Sequence, residues 1–411
     1  MELPHLHTAT LVAYVKVGSR FETTADNGLS HFVEHMLFRG TARYPTSFDL
    51  NFAIESLGSS LYAETGRDYS MFQIAIEASE VDAGMELFGE IFGRPRFSDI
   101  ELERALVLEE MTEDYDSRGT EINADDIARG LVFPEHPLGQ RIIGPRANVE
   151  RFTDEDVARH FASFYGARNT LICVAGPVRA AEVERAARAH LTSLPEGRAA
   201  DVAEVPANQT EPLFRYVRDR GSQVELSLVF RAVPEMDPDY PASLALLRTL
   251  DDGMATRLHY RLCDQLGLAY SVNAGIEPLH DVVLLDVVGA AQPSKLAQLI
   301  GQTLGIFDEL RSTCIGEAEL AKIKRRYRYE ISSAVDDANA MASWFGGTSL
   351  YYDPPTFEDR VASMEKVTAE GIRTVARRIL RPENLAVAVV GDLTRARHTE
   401  VKKIITGWAP T

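Results

Sequence analysis

Two histidines and a glutamate stand together in one short segment near the start of the chain, His31-Phe-Val-Glu34-His35. On an α-helix, residues four apart share one face, so both imidazoles can converge on a single metal ion. Glu34 directly precedes the second histidine and lies beside such an ion without ligating it. This order is the inverse of the H-E-x-x-H motif, and it suggests the same division into metal ligands and general base.

The flanking residues predict a helix around the motif. Asp26 or Asn27 can cap its N-terminus, and Gly40 can end it. The alternative interpretation is a pair of surface or core histidines with no ligand role.

A catalytic zinc site needs a third protein ligand and one open position. The segment 100–116 predicts a helix rich in acidic residues, with Glu103, Glu110 and Asp114 on one face. A solvated acidic helix face is the alternative, because charge runs usually have that role.

The chain repeats itself once, at an offset of 215 residues. Residues 167–178 recur as 382–393, and the strand-like segment 11–17 recurs as 226–232. A period this long indicates domain duplication rather than a solenoid. At this offset the residues His31, Glu34 and His35 correspond to Leu246, Thr249 and Leu250. The second copy therefore keeps a helix without the motif, so packing does not require the motif in the first copy.

The repeat predicts an α+β protein of two tandem homologous domains. Each domain combines short strands with long amphipathic helices, which favours a mostly antiparallel sheet packed by helices. We expect a metal-binding catalytic domain at 1–196, a linker at 197–212, and a second domain without metal ligands at 213–411. The linker contains the breakers Gly197, Pro206 and Pro212 and has no sustained periodicity.

Composition narrows the choice of partners and compartment. The formal net charge of −18 disfavours nucleic acid and anionic membranes. No apolar run approaches the ~20 residues of a membrane span, and no signal peptide is recognisable. Three cysteines without metal-type spacing indicate a reducing compartment. We expect a cytoplasmic protein, or a periplasmic one if a leader has been removed.

The segment 27–41 resembles the zinc-site helix of the pitrilysin (insulinase) metallopeptidases. It is most similar to the short-chain branch that contains the mitochondrial processing peptidase β subunit and its bacterial relatives. Later landmarks of that family are matched at 15–22, 136–139, 144, 164–169 and 267–271. The resemblance implies half of a clamshell, one zinc ion per chain, and cleavage of peptides or unfolded polypeptide segments through a zinc-activated water.

The resemblance also assigns roles within the acidic helix. It implies Glu110 as the third zinc ligand and Glu103 as a supporting carboxylate, with Glu109 as the competitor if the register slips by one. Donor chemistry alone does not exclude manganese or cobalt in place of zinc.

The family's second domain carries an Arg and, seven residues later, a Tyr that bind the substrate carbonyl. Tyr270 matches the tyrosine, but Cys263 stands at the arginine position. This departure favours a heterodimer, in which a homologous partner supplies the arginine, over a homodimer in which Arg261 or Arg257 substitutes.

The second departure concerns the substrate-binding edge strand, where Tyr62-Ala63 replaces the common Asn-Ala pair. It affects subsite preference and leaves the reaction unchanged. The sequence thus predicts a zinc metalloendopeptidase with Glu34 as general base and Tyr270 as oxyanion donor. The alternative is a non-catalytic core or peptide-capturing subunit of the same fold.

Overall fold

The computed structural model describes residues 1–409, and the contacts within it divide them into two compact units. Unit 1 comprises Met1–Met111, Gln140–Ala203 and Glu330–Pro355. Unit 2 comprises Thr112–Gly139, Glu204–Tyr329 and the residues from Thr356 onward.

Unit 1 is built on a four-stranded antiparallel sheet in the order β2-β3-β1-β4. Its strands are β1 (Thr8–Val15), β2 (Tyr62–Thr65), β3 (Ser70–Glu77) and β4 (Thr170–Ala175). Its helices in the first half of the chain are α1 (Leu29–Leu37), α2 (Ser47–Ser56), α3 (Val81–Gly93), α4 (Ile100–Glu110), α6 (Arg146–Val149), α7 (Asp154–Phe164) and α8 (Ala180–His190). The central strand β1 is buried on both faces, which explains its near-continuous apolar sequence.

Unit 2 is built on a five-stranded sheet in the order β5-β9-β6-β8-β7. The strands are β5 (Leu213–Val217), β6 (Val224–Ala232), β7 (Ala269–Pro278), β8 (Val283–Ala291) and β9 (Leu385–Val390). Only the pairing of β5 with β9 is parallel. The helices of unit 2 are α5 (Ala124–Val132), α9 (Tyr240–Leu250), α10 (Leu296–Ser312), α13 (Phe357–Lys366), α14 (Ala369–Ile379) and α15 (Arg395–Thr406). Helix α11 (Glu317–Val335) begins in unit 2 and continues into unit 1 from Glu330. The mostly antiparallel α+β architecture predicted for both domains is confirmed.

The duplication extends to individual hydrogen bonds. The Asn169 side chain donates to Lys16 O and Phe164 O, and Asn384 makes the two equivalent bonds, to Arg231 O and Ile379 O. The glycines that end β4 and β9 share the same close approach, because a Cβ on either would lie under 3 Å from the backbone of the neighbouring strand.

Each half of the sequence contributes one helix to the sheet formed mainly by the other half. Helix α12 (Ala338–Ser349) belongs to unit 1 and packs on β1 and β4, while α5 from the first half packs on β6 and β9 of unit 2. The offset of 215 places α5 onto α12, so the exchange is reciprocal.

The two units therefore differ from the predicted boundaries of 1–196 and 213–411. Segment 112–139 of the first half lies in unit 2, and 330–355 of the second half lies in unit 1. Sequence order does not reveal which sheet an amphipathic helix will cover, since apolar burial is non-directional. The change of unit at Ala203 does fall inside the predicted linker.

Within residues 1–409, no helix combines the length and apolar character needed to cross a membrane.

Candidate metal centre

Helix α1 presents the motif because its opposite face is apolar and fixed in the core. Phe32, Val33 and Met36 are fully buried, while His31, Glu34 and His35 remain partly accessible on the other side.

The start of α1 is held by a carboxylate that the sequence did not single out. Buried Glu22 accepts hydrogen bonds from the backbone N–H groups of Gly28 (2.9 Å) and Ser30 (2.6 Å) and from the Asn27 amide (3.0 Å). These bonds satisfy N–H groups that a helix N-terminus leaves unpaired. The predicted caps Asp26 and Asn27 do not have this role, because the N-cap residue is Gly28 at φ 99°.

Three potential metal-ligating side chains meet beside α1. His31, His35 and Glu110 each offer one atom within 4.8 Å of the others, and this is the one such group of three or more found among residues 1–409. Glu110 Oε1 lies 3.6 Å from His31 Nε2, and Glu110 Oε2 lies 3.5 Å from His35 Nε2. Two ligands of a tetrahedral ion at ~2.1 Å lie roughly 3.4 Å apart, so these separations suit a zinc-sized ion.

Helix α4 contributes two carboxylates to the same histidine. Glu110, at its last residue, faces His35 Nε2, and Glu103, two turns earlier, accepts from His35 Nδ1 at 2.9 Å. Glu103 is buried and also faces the Arg39 guanidinium at 3.4 Å. A carboxylate on Nδ1 fixes the tautomer that leaves Nε2 available as a ligand.

Helix α4 is shorter than the sequence predicts. It ends at Glu110, and a 3₁₀ turn follows at Met111–Asp114. Asp114 therefore leaves the helix face and accepts from the Asn123 amide in unit 2. Glu109 is exposed and is not part of the metal-ligating group found in the described chain.

The two histidines differ in pKa. Burial, assisted by the neighbouring His35, lowers the pKa of His31 to about 4, which favours the neutral imidazole that a metal requires. Burial also acts to lower the pKa of His35, but hydrogen bonds to Glu103 and Glu110 outweigh it and raise that pKa to about 9.

Glu34 lies between the histidines and does not take part in the cluster of ligating atoms. Its Oε2 accepts a hydrogen bond from Thr65 Oγ1 at 2.5 Å. Burial raises the pKa of Glu34, although the Thr65 hydrogen bond opposes that rise. A partly buried carboxylate with a raised pKa is the environment expected of a general base.

Tyr62 and Ala63 lie on β2, which forms one edge of the unit 1 sheet. Tyr62 is exposed and donates through its hydroxyl to Glu64 Oε2 at 3.0 Å. An edge strand offers unpaired backbone groups to an added chain.

The remaining predicted residues lie in unit 2. Tyr270 is on β7 and is 94 % exposed, and Cys263 lies in a π-helical turn, His259–Gln265. Arg261 donates to both carboxylate oxygens of Glu309 (2.6 and 2.9 Å), and Arg257 makes the same kind of bidentate pair with Glu319.

Two family models match the chain. The model described as insulinase (peptidase family M16) matches residues 2–146, and the model described as peptidase M16 inactive domain matches residues 151–327.

Curated relatives are similar over nearly the whole chain. An uncharacterized zinc protease of Mycobacterium tuberculosis is 27 % identical over 398 residues, covering 95 % of this chain and 89 % of the relative. A probable mitochondrial-processing peptidase subunit beta of Arabidopsis thaliana is 26 % identical over 403 residues, covering 94 % and 75 %.

Among solved structures, the peptidase M16 inactive domain from Pseudomonas fluorescens superposes with a TM-score of 0.86 at 19 % identity. The superposition covers 96 % of this chain and 95 % of that one. At this identity the likeness concerns the fold alone.

Proposed function

Because the chain belongs to the insulinase, or pitrilysin, family of metallopeptidases, we propose that it is a zinc-dependent endopeptidase acting on peptides or unfolded polypeptide segments. The observation that carries the proposal is the convergence of His31, His35 and Glu110, which are separate in sequence and whose spacing suits one ion. The second copy of the fold has Leu246 and Leu250 at the positions of the two histidines, so packing alone does not require histidines in the first copy.

In this proposal the Nε2 atoms of the two histidines and the Glu110 carboxylate hold one zinc ion per chain. Zinc bound there supplies Lewis-acid activation of water and of the scissile carbonyl. The donor set fits, since two imidazoles and one carboxylate are the ligands of many catalytic zinc sites.

Glu34 accepts the proton of the attacking water and returns it to the leaving amine. Because Thr65 already donates a hydrogen bond to Oε2, we assign the proton transfer to Oε1. Glu103 keeps Nε2 of His35 directed at the metal by holding Nδ1.

Substrate would add as an extra strand along β2, beside Tyr62 and Ala63. Backbone pairing of this kind gives affinity without strict sequence selection, while side-chain pockets select subsites. The exposed Tyr62 is the first candidate for such a subsite.

Tyr270 is proposed as the oxyanion donor, and a homologous partner as the source of the missing arginine. Arg261 and Arg257 are the arginines of this chain that could substitute, and each is already paired with a glutamate. This pairing supports a partner as the source of the arginine. Cys263 provides no charge for a substrate carbonyl.

The decisive experiment measures zinc content and cleavage of a mixed peptide library by the purified chain. Glu34→Gln should keep one zinc per chain and lose cleavage by about 10²–10⁴-fold, since it removes the general base. Glu110→Gln should lose zinc, while its matched control Glu109→Gln should retain both zinc and activity.

Each result has a distinct meaning. Near-normal cleavage by Glu34→Gln would remove Glu34 from the base role, and a wild-type chain without zinc would refute the proposal. Zinc without cleavage in the wild type, followed by cleavage in the Cys263→Arg variant, would identify the missing arginine as the reason. Zinc without cleavage in both would favour the peptide-capturing alternative.

A further inference from the structure

Thr65 connects the substrate-edge strand to the carboxylate of Glu34. Its Oγ1 lies 2.5 Å from Glu34 Oε2 and 3.0 Å from Ser70 Oγ. Thr65 and Ser70 are both buried, and they face each other as a cross-strand pair of β2 and β3.

The donors in this chain of hydroxyls can be assigned from chemistry. An ionised carboxylate only accepts hydrogen bonds, so Thr65 must donate its single hydroxyl proton to Glu34. With that proton committed, the contact between the hydroxyls requires Ser70 to donate to Thr65. The order is thus Ser70 to Thr65 to Glu34.

The turn between Thr65 and Ser70 is itself anchored in unit 1. The Arg20 backbone N–H donates to Arg67 O at 3.0 Å, and the Tyr351 hydroxyl donates to Asp68 O at 2.6 Å. The side chains of Arg20 and Asp68 also form a buried pair at 3.4 Å. A rigid support of this kind is what a precisely held side chain needs.

We propose that Thr65 is a positioning residue that fixes the Glu34 carboxylate in the orientation required for proton transfer, with Ser70 fixing Thr65 in turn. A glutamate side chain otherwise has several rotamers to choose from, and ordering them costs conformational entropy. Thr65 removes that freedom before substrate arrives, and it leaves Oε1 for the proton. This inference rests on the role proposed above for Glu34.

A purely structural role is the competing explanation, in which the two hydroxyls only satisfy each other between the strands. The two explanations differ in what a shape-preserving substitution does. Thr65→Val keeps the branched shape and suits a strand, but removes the donor. Thr65→Ser keeps the donor and loses one methyl group.

The experiment compares kcat, KM, zinc content and thermal stability across variants. We expect Thr65→Val to lower kcat about 10- to 100-fold with KM and zinc content unchanged, and Thr65→Ser to restore kcat to within about threefold of wild type. Ser70→Ala should lower kcat by less than Thr65→Val, because it acts only through Thr65.

The matched control is Thr10→Val, another buried strand threonine of unit 1, whose hydroxyl donates to Asn339 Oδ1 at 2.7 Å. On the paired strand it lies five residues from the partner of Ser70, roughly 16 Å away along the sheet. It should change stability without changing kcat.

An unchanged kcat in Thr65→Val, with Glu34→Gln inactive, would overturn the positioning role and leave the proposed function standing. Loss of zinc in Thr65→Val would overturn it too, because the hydroxyl would then support the metal site as a whole. If Thr65→Val fails to fold, Thr65→Ala against Thr65→Ser gives the same comparison. An active Glu34→Gln would instead refute the proposed function itself.

Discussion

At the scale of single residues, the site depends on buried carboxylates that hold other groups in position through hydrogen bonds. Glu103 holds Nδ1 of His35, and Glu22 holds the backbone at the start of α1. Both are buried and would be costly there without the donors that surround them. Helical spacing placed Glu103 on the acidic face, but its supporting role came only from the family resemblance, because His35 is 68 residues away. Glu22 was missed because it lies outside the positions of the standard capping motifs.

Glu103→Gln should weaken zinc binding about 10- to 100-fold, because the amide no longer supports the charge and tautomer of His35. Competition with a chromogenic chelator measures the affinity. Glu101→Gln is the matched control, since Glu101 is on the same helix but is exposed and pairs only with Arg104 within the described chain. Equal affinities in both variants would remove Glu103 from this role.

His160 is not one of the proposed metal ligands, and its burial makes the free energy of unfolding depend on pH. Its Nε2 lies 3.0 Å from Ser30 Oγ, and burial lowers its pKa to about 4. The folded state thus favours the neutral ring, so its contribution is complete above pH 6.5 and is lost as the pH falls towards 4.

We expect His160→Gln to reduce the acid sensitivity of folding. Between pH 7 and 4, the wild type should lose on the order of 3 kcal/mol more of its unfolding free energy than the variant does. Urea unfolding at several pH values measures this difference. Parallel pH profiles would show that His160 is not the titrating group.

At the scale of elements, the main feature is that α5 packs on the unit 2 sheet and α12 packs on the unit 1 sheet. Helix α12 covers β1 and β4 at close range, because Gly346 packs against the ring of Tyr14 and the Tyr14 hydroxyl donates to Ser343 O. Close packing of this kind is sensitive to one added methyl group.

Gly346→Ala should destabilise the protein by about 1–3 kcal/mol, since the new Cβ would lie 2.7 Å from Tyr14 Cε2. Gly301→Ala in α10 is the matched control, because nothing lies within 4 Å of its Cβ position. That control should gain up to about 1 kcal/mol from helix propensity. Chemical unfolding compares the two, and equal stabilities would show that α12 yields at this contact.

At the scale of the whole molecule, duplication produced two similar units that each need a segment from the other half of the sequence. Unit 1 takes residues Glu330–Pro355, and unit 2 takes Thr112–Gly139. Among residues 1–409, the group of potential metal ligands lies in the first copy, His31, His35 and Glu110.

Fragments 1–203 and 204–411 should therefore fail to fold when expressed separately and should reconstitute when co-expressed. Each fragment alone lacks a helix that covers its sheet and would expose that apolar face. Near-ultraviolet circular dichroism and zinc content of the recombined protein measure the outcome. The control is the intact chain cut between Ala203 and Glu204 after folding, and a stable separate fragment 1–203 would contradict the prediction.

The sequence by itself determined the features that depend on local spacing and on the repeat. Helical periodicity placed His31 and His35 on one face, and the offset of 215 predicted the paired strands and their glycines. The choice of Glu110 over Glu109 came from the family resemblance, and the structure places Glu110 in the group.

Only the tertiary structure decided which distant groups meet. The contact of Thr65 with Glu34 and the exchange of α5 and α12 join residues that are far apart in the sequence. The capping of α1 by Glu22 is local, but it follows no spacing that a standard capping motif predicts. Hydrogen bonds and apolar burial act between any groups that folding brings together, so sequence spacing carries no signal for them. Local geometry thus predicted the histidines of the site, whereas packing determined what holds them and Glu34 in place.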